Sequence, residues 1–457
     1  MLKTGQAQER MQVSRRGVEI PKSPAVLQKV RKELTVTPFN PQNPFGKSFR
    51  VYLETPSHVV VPLHWARKAF GEELGHTRDM RVLGDPARME FVGSLKAELR
   101  QPEAVESVLA SLHAGGGALL CLATGLGKTT CALYVACQLK RKTLIVVHKD
   151  FLARQWKERI AQYVPGATVS VVQGSTCDLS GDFVIAMIQT LVNRKYPPST
   201  FAACSLLVWD EVHHAAAHVF SQAMFALNLP YTLGLTATPE RKDRLGKVVE
   251  WFLGDIAFLV RREGQGTTEV RPRTYTCPRF AEPPPVNRRG DVCFTSTISI
   301  LAEDEARTRM VASQAAALAR SGRDVLVLSH RRAHCAKLCD EVTRQGVACR
   351  TYLGGDKDVP ESQVVVATYA LTSEGFDCPR LSALVLATPS SDVEQACGRV
   401  MRGSSSQAAV IVDIVDMWGV CFAQHAKRKA FYRRCGFRVL GGKEETHETQ
   451  KEYAFLD

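Results

Sequence analysis

Residues 118–139 read ALLCLATGLGKTTCALYVACQL, and the reading of this stretch decides the fold. Apolar residues Ala118 to Leu122 run into a glycine-rich turn, Ala123 to Thr129, and the helix-like Thr130 to Leu139 follows. Strand, turn and helix in that order build a phosphate-binding loop. Small residues let backbone N–H groups wrap phosphates, a lysine adds charge, and a hydroxyl reaches a metal ion. The turn therefore offers Thr124, Gly125 and Gly127 as lining, Lys128 for the β and γ phosphates, and Thr129 for Mg²⁺. The strict pattern asks for glycine where Leu122 stands, so the match is loose and a glycine turn without a ligand stays open.

Outward from this loop the texture is regular. Short apolar runs alternate with amphipathic helical stretches: TLIVVH (143–148), FVIAMIQT (183–190), SLLVWDE (205–211) and TLGLTATP (232–239). Continuous Val/Ile/Leu runs between polar turns are strands buried on both faces, which implies a parallel sheet flanked by helices. Residues 261–294, rich in Gly, Pro and Arg, read as a linker with room for one crossing strand, and the same texture then resumes with DVLVLSH (324–330), QVVVATY (363–369), ALVLATP (383–389) and AAVIVDIVD (408–416). The pattern predicts two successive parallel α/β domains.

The chain of 457 residues is 45% apolar and 23% charged, as in globular proteins. Lys and Arg number 59 against 46 acids, an excess that favours a polyanionic partner such as nucleic acid. The 14 cysteines are scattered without a C-x-x-C pair, which reads as reduced thiols inside a cell. His334, Cys335 and Cys339 fall together but match no zinc spacing. No apolar run is long enough for a membrane span.

Two further clusters carry chemistry. VWDEVHH (208–214) sets Asp210 and Glu211 at the end of an apolar run, where an open parallel sheet binds ligands. Asp210 suits Mg²⁺, and Glu211 suits orienting the attacking water. QACGRVMR (395–402) sets Arg399 and Arg402 on one helix face, with planar forks suited to γ-phosphate oxygens. Between them, Thr236 and Thr238 of TATP end a strand and offer hydroxyls that relay nucleotide state. Arg241, Lys242 and Arg244 follow directly and are candidate contacts to a nucleic-acid backbone. Near the C-terminus, KRKAFYRR (427–434) interleaves Phe431 and Tyr432 with cations, which suits base stacking; a basic helix with a buried aromatic is the even alternative.

The ordered set ATGLGKT, DEVHH, TATP, EGFD (374–377) and QACGRVMR resembles the superfamily 2 helicases and translocases of the DExH type, over roughly residues 95–420. That resemblance implies two tandem RecA-like domains with ATP and Mg²⁺ between them. It also implies a groove for one nucleic-acid strand, contacted by Lys149, Gln155, Thr190, Ser329 and Thr368. His213 and Gln395 would couple the nucleotide to that groove, and Asp377 would touch the ribose. The family's adenine-reading glutamine is displaced here: in LRQPEAV (99–105), Gln101 or Glu103 serves, or base selectivity is relaxed. The pieces FRVYLE and VVVPLHWARKAFG, and the ending IVDMWGVCFAQHAKRKAFYRRCGF, are similar to helicases of nucleocytoplasmic large DNA viruses, iridovirus-like ones especially.

The expected organisation is a basic flexible tail (1–33), a small β-rich module (34–94), a first RecA-like domain (95–260), a linker (261–294) and a second RecA-like domain with a basic extension (295–457). The expected activity is NTP-driven movement along or unwinding of nucleic acid, DNA rather than RNA, in viral DNA metabolism or transcription. Transcription or replication machinery are candidate partners. The expected setting is the host cytoplasm or nucleus, or the virion. A transcript-release or docking factor, with a nucleic-acid-stimulated ATPase and no strand separation, is the competing reading.

Overall fold

The computed structural model describes residues 10–39, 46–75, 77–123, 125–214, 216–237, 241, 243–260, 268–287, 290–353, 359–373, 378, 380–391, 393–401 and 408–440. Thr124, Thr238, Lys242, Asp377 and Arg402 lie outside the described residues. The chain divides into two units, residues 1–261 and 262–457.

The first unit is built on an eight-stranded sheet. Its order is Thr176–Cys177, Val169–Gln173, Phe183–Met187, Thr143–Val147, Leu206–Trp209, Tyr231–Thr236, Gly117–Leu122 and Ile256–Val260. All pairings are parallel except that of the short edge strand Thr176–Cys177. Every residue of Gly117–Leu122, Thr143–Val147, Phe183–Met187 and Leu206–Trp209 is buried. Alternate side chains feed two cores. Leu119, Cys121, Leu144, Val146, Leu207 and Trp209 enter one; Leu120, Leu122, Ile145, Val147, Leu206 and Val208 enter the other. Covering both faces explains why these strands read as unbroken apolar runs.

The first core continues into an N-terminal module. Gln12–Ser14, Gly17–Pro21, Leu53–Glu54, His58–Val61 and Arg78–Asp79 form a five-stranded sheet. The expected tail is therefore corrected for residues 10–33: they form a hairpin and the helix Pro24–Glu33. Ser23 caps that helix by accepting from Val26 N at 3.2 Å, and Pro24 fits its first turn. The stretch looks polar because its few buried apolar residues, Val13, Val18, Ile20 and Val30, join a core shared with distant residues, Val18 and Ile20 pairing with Val61 and Val59.

The second unit holds a fully parallel seven-stranded sheet. Its order is Cys349–Tyr352, Val364–Thr368, Val325–Ser329, Ala383–Leu386, Val410–Asp416, Glu269–Tyr275 and Arg438–Val439. Glu269–Tyr275 is the crossing strand left open in the expected linker: its seven residues pair along Val410–Asp416. Pro272 lies within it. The other neighbour, Arg438–Val439, pairs only as far as Val270, so the proline sits where no second ladder needs its missing N–H.

Buried charge organises the helix Val420–Arg434. Asp413, fully buried, accepts from Arg428 Nε at 3.0 Å and Tyr432 Oη at 3.1 Å, and contacts His425 Nδ1 at 3.1 Å. Burial alone would push this carboxyl up, but His425 and Arg428 hold it below the ordinary range. Base stacking by Tyr432 is corrected accordingly: the ring is wholly buried and its hydroxyl is committed. The basic helix with a buried aromatic is what forms. Arg307 makes a second buried pair, to Asp416 at 2.6 Å. All fourteen cysteines are free, and among the described residues no helix is long and apolar enough to cross a membrane.

Candidate nucleotide site

The site forms at the C-terminal ends of the first unit's strands, where the chain order switches. From Gly117–Leu122 the chain passes over two strand positions to Thr143–Val147, then returns to fill them with Leu206–Trp209 and Tyr231–Thr236. Such a switch opens a crevice at the carboxyl edge. Gly125 and Gly127 take φ of 93° and 86°, conformations that cost a side chain dearly. Leu122 does not have a positive φ; it is the buried last residue of its strand. The loop needs no glycine there, which explains the loose match.

Lys128 opens the helix Lys128–Leu139 and is only 9% exposed. Its Nζ donates to Leu122 O at 3.2 Å and lies 3.5 Å from Glu211 Oε1. Glu211 itself has φ of 46°, rare for a non-glycine residue, so the turn after Leu206–Trp209 is strained in presenting it. Its other oxygen, Oε2, is 3.4 Å from His213 Nδ1, which in turn contacts Thr236 Oγ1 at 2.8 Å. One chain of contacts thus links Lys128, Glu211, His213 and Thr236.

Asp210 is held differently. Trp156, buried on the helix Asp150–Tyr163, donates Nε1–H to Asp210 Oδ2 at 2.9 Å. Burial, with the Glu211 charge second, pushes the Asp210 carboxyl up to about 6. Lys128 is the neighbouring cation for two adjacent carboxylates, Asp210 and Glu211, so a divalent ion fits the remaining negative charge; Asp210 and Thr129 are the residues that could hold it. Among the described residues no group of three or more His, Cys, Asp or Glu could hold a metal ion.

Gln101 is 3% exposed and sits against the loop. Its Nε2 donates to Leu126 O at 3.0 Å, and its Oε1 accepts from Lys96 N at 2.9 Å. A Cβ on Gly127 would come within 2.3 Å of that Nε2. Glu103 is exposed and tied to Arg100 at 3.0 Å, while Arg100 lies over the Phe258 ring at 5.1 Å. Of the two candidates in LRQPEAV, Gln101 is the one in contact with the phosphate loop. Gln101→Ala strips partners from two backbone groups at the loop's edge, worth about 1–3 kcal/mol if buried. We expect KM for ATP to rise about tenfold, the fold-change of about 1.4 kcal/mol, with Glu103→Ala near wild type. Equal KM values for the two variants, measured by steady-state kinetics, would refute this assignment.

The proposed strand contacts divide. Lys149, Gln155 and Thr368 are half-buried: Lys149 at the N-cap of the helix Asp150–Tyr163, Gln155 within that helix, and Thr368 at the end of its strand. Ser329 is fully buried, with Oγ 2.9 Å from His334 Nδ1 and accepting from Arg331 N, so it is corrected to a structural residue. Thr190 is 8% exposed and its Oγ1 accepts from Gly174 N at 3.0 Å, which ties it to a turn. His334 and Cys335 are likewise interior. In the second unit Gln395 and Arg399 lie half-buried on the helix Glu394–Val400.

One contributor was not singled out in the sequence: Trp156, whose buried indole needs an acceptor for its N–H. Another, Arg241, is corrected from a backbone contact of nucleic acid to an internal one. Arg241 donates to Val212 O and His213 O at 3.2 and 3.3 Å and pairs with Asp243 at 2.7 Å, which fixes the loop carrying His213.

Residues 94–241 match the family described as type III restriction enzyme, res subunit. Over 427 residues the chain is 27% identical to a protein of Acanthamoeba polyphaga mimivirus named for ATP-dependent RNA helicase action, covering 89% of this chain and 81% of that one. A helicase of Frog virus 3 is 25% identical over 356 residues, covering 76% and 80%. Among solved structures, S. cerevisiae Dbp5 bound to RNA and ADP BeF3 matches with TM-score 0.52 and 12% identity, covering 74% of this chain and 88% of that one. The DNA- and AMPPNP-bound helicase MrfA also gives 0.52, at 15% identity, covering 78% and 56%. The fold is that of two-domain RecA-like proteins, and the chain is similar to helicases of Acanthamoeba polyphaga mimivirus and Frog virus 3.

Proposed function

We propose that the chain is an ATP-dependent helicase or translocase, a nucleoside triphosphatase that moves along nucleic acid or separates its strands. The observation that carries this reading is Lys128 Nζ at 3.5 Å from Glu211 Oε1, at the carboxyl edge of a parallel sheet. A phosphate-gripping cation and a water-orienting carboxylate need to be this close, because phosphoryl transfer depends mainly on positioning and charge neutralisation. Mg²⁺, held by Asp210 and Thr129, would neutralise developing charge on the phosphates.

In this reading the chain's own residues divide the work. Backbone N–H groups of the loop around Gly125 and Gly127 bind phosphate oxygens, and Lys128 orients the terminal phosphate. Glu211 aligns the water. Arg399 and Arg402 are the proposed forks for γ-phosphate charge, and Asp377 the ribose contact. His213, with Thr236, Thr238 and Gln395, would report nucleotide state to the groups that grip the strand, among them Lys149, Gln155 and Thr368. The relatives' names support nucleic acid as the partner, and their viral origin supports action inside an infected cell.

The test is ATPase turnover with single-stranded DNA, duplex DNA and single-stranded RNA in parallel, followed by strand displacement on the best activator. At least one polymer should stimulate turnover about tenfold or more, a lowering of the barrier by about 1.4 kcal/mol. DNA stimulating best would support a role in viral DNA metabolism or transcription. Turnover indifferent to all three would overturn the motor.

A further inference from the structure

We propose that a basic cleft between the N-terminal module and the helix Gly246–Leu253 is a second binding site, for the phosphodiester backbone of nucleic acid. The proposal rests on the motor reading only in taking nucleic acid as the polyanion at hand. The cleft has a volume of about 790 Å³. Its walls come from three helices, Pro24–Glu33, Leu63–Gly75 and Gly246–Leu253, with Thr35–Thr37 at one end.

Five cations line it: Lys29, Lys32, Lys68, Arg244 and Lys247. The lining carboxylate, Glu33, accepts from Trp65 Nε1 at 3.0 Å. Lys29 is committed to Ala69 O at 2.8 Å, and Lys68 pairs with Asp255 at the rim. Lys32, Arg244 and Lys247 keep exposed heads. Arg244 lies 3.9 Å over the Phe39 ring and takes φ of 56°, and Lys247 lies 5.6 Å over the Trp251 ring. Cationic heads held over ring faces on exposed side chains present charge at a fixed place. A concave surface lined by one sign focuses field and draws a polyanion.

The chemistry favours a phosphate backbone over an acidic protein segment. Trp65 and Trp251 are 4% and 9% exposed, so the cleft floor has little ring surface to receive a peptide's apolar side chains. The cations stand on separate elements, which suits successive phosphates along a strand and not one small anion. Lysine heads are point charges that accept any phosphate orientation. The site also adjoins the turn that carries Glu211 and His213. Three residues before Arg244, Arg241 bonds the carbonyls of Val212 and His213.

The test uses the full chain and the exposed cations. K32E/R244E/K247E, and the neutral K32Q/R244Q/K247Q, are compared with wild type by anisotropy of labelled single-stranded and duplex DNA across a salt series. Loss of three phosphate contacts should make the slope of log K against log salt shallower by about two to three. Unfolding temperature should not move, since all three residues are exposed. Wild-type slopes in both folded variants would overturn the cleft while leaving the motor standing. A wild-type chain that binds no nucleic acid would overturn both. Polyglutamate that binds wild type and loses affinity in the variants, while their DNA slopes stay unchanged, would assign the cleft to an acidic segment and overturn the proposal.

Discussion

Lys128→Ala is expected to abolish triphosphate hydrolysis, lowering kcat/KM by about a thousandfold or more, near 4 kcal/mol of lost transition-state stabilisation. The magnitude follows from location. Lys128 is buried at the first residue of its helix, with Nζ 3.2 Å from Leu122 O and 3.5 Å from Glu211 Oε1. A charge in that setting is poorly screened and acts strongly on a phosphate. Alanine is the best helix former, so the helix itself should survive. Removing the cation leaves Glu211 facing a triphosphate with like charge, so nucleotide affinity should fall along with turnover. Isothermal titration with a non-hydrolysable analogue and steady-state ATPase check the two losses separately. Wild-type turnover in a folded variant would sink the site assignment.

The site was legible to the extent that its chemistry is local in the chain. The run 123–129 and the pair Asp210–Glu211 each sit at the end of an apolar strand, and the buried strands announce themselves by composition. What could not be read depends on partners far away in sequence. Gly17–Pro21 is a strand because His58–Val61 covers it, and the crossing strand left open in 261–294 takes its bounds, Glu269–Tyr275, from Val410–Asp416. Neither carries the unbroken apolar run that marks a strand covered on both faces. Ser329 is a strand contact only by resemblance and Tyr432 a stacking candidate by its basic neighbours, yet His334 and Asp413 hold them inside. The choice between Gln101 and Glu103 was equally out of reach. Both follow a left-handed Arg100, and only the folded loop shows which side chain meets Gly127.

Glu211→Gln should separate what Lys128→Ala confounds. The swap keeps shape and length, and neither residue eases the φ of 46° at this position, so backbone strain is common to both. It removes one negative charge 3.5 Å from Lys128 and 3.4 Å from His213. Lys128 then has less to pair with apart from phosphate, so ATP should bind as tightly as in wild type or tighter. An amide is a far weaker acceptor for a water proton, so turnover should fall about a thousandfold, again near 4 kcal/mol. Bound ATP should therefore persist, and with it the state that grips nucleic acid. Filter binding should recover ATP and labelled nucleic acid together on this variant, while Lys128→Ala retains neither. The two substitutions sit at opposite ends of one contact, so opposite effects on affinity with equal effects on turnover are what a cation for phosphate and a base for water require. Normal hydrolysis by Glu211→Gln would assign the water to another group and reduce Glu211 to a partner that positions Lys128.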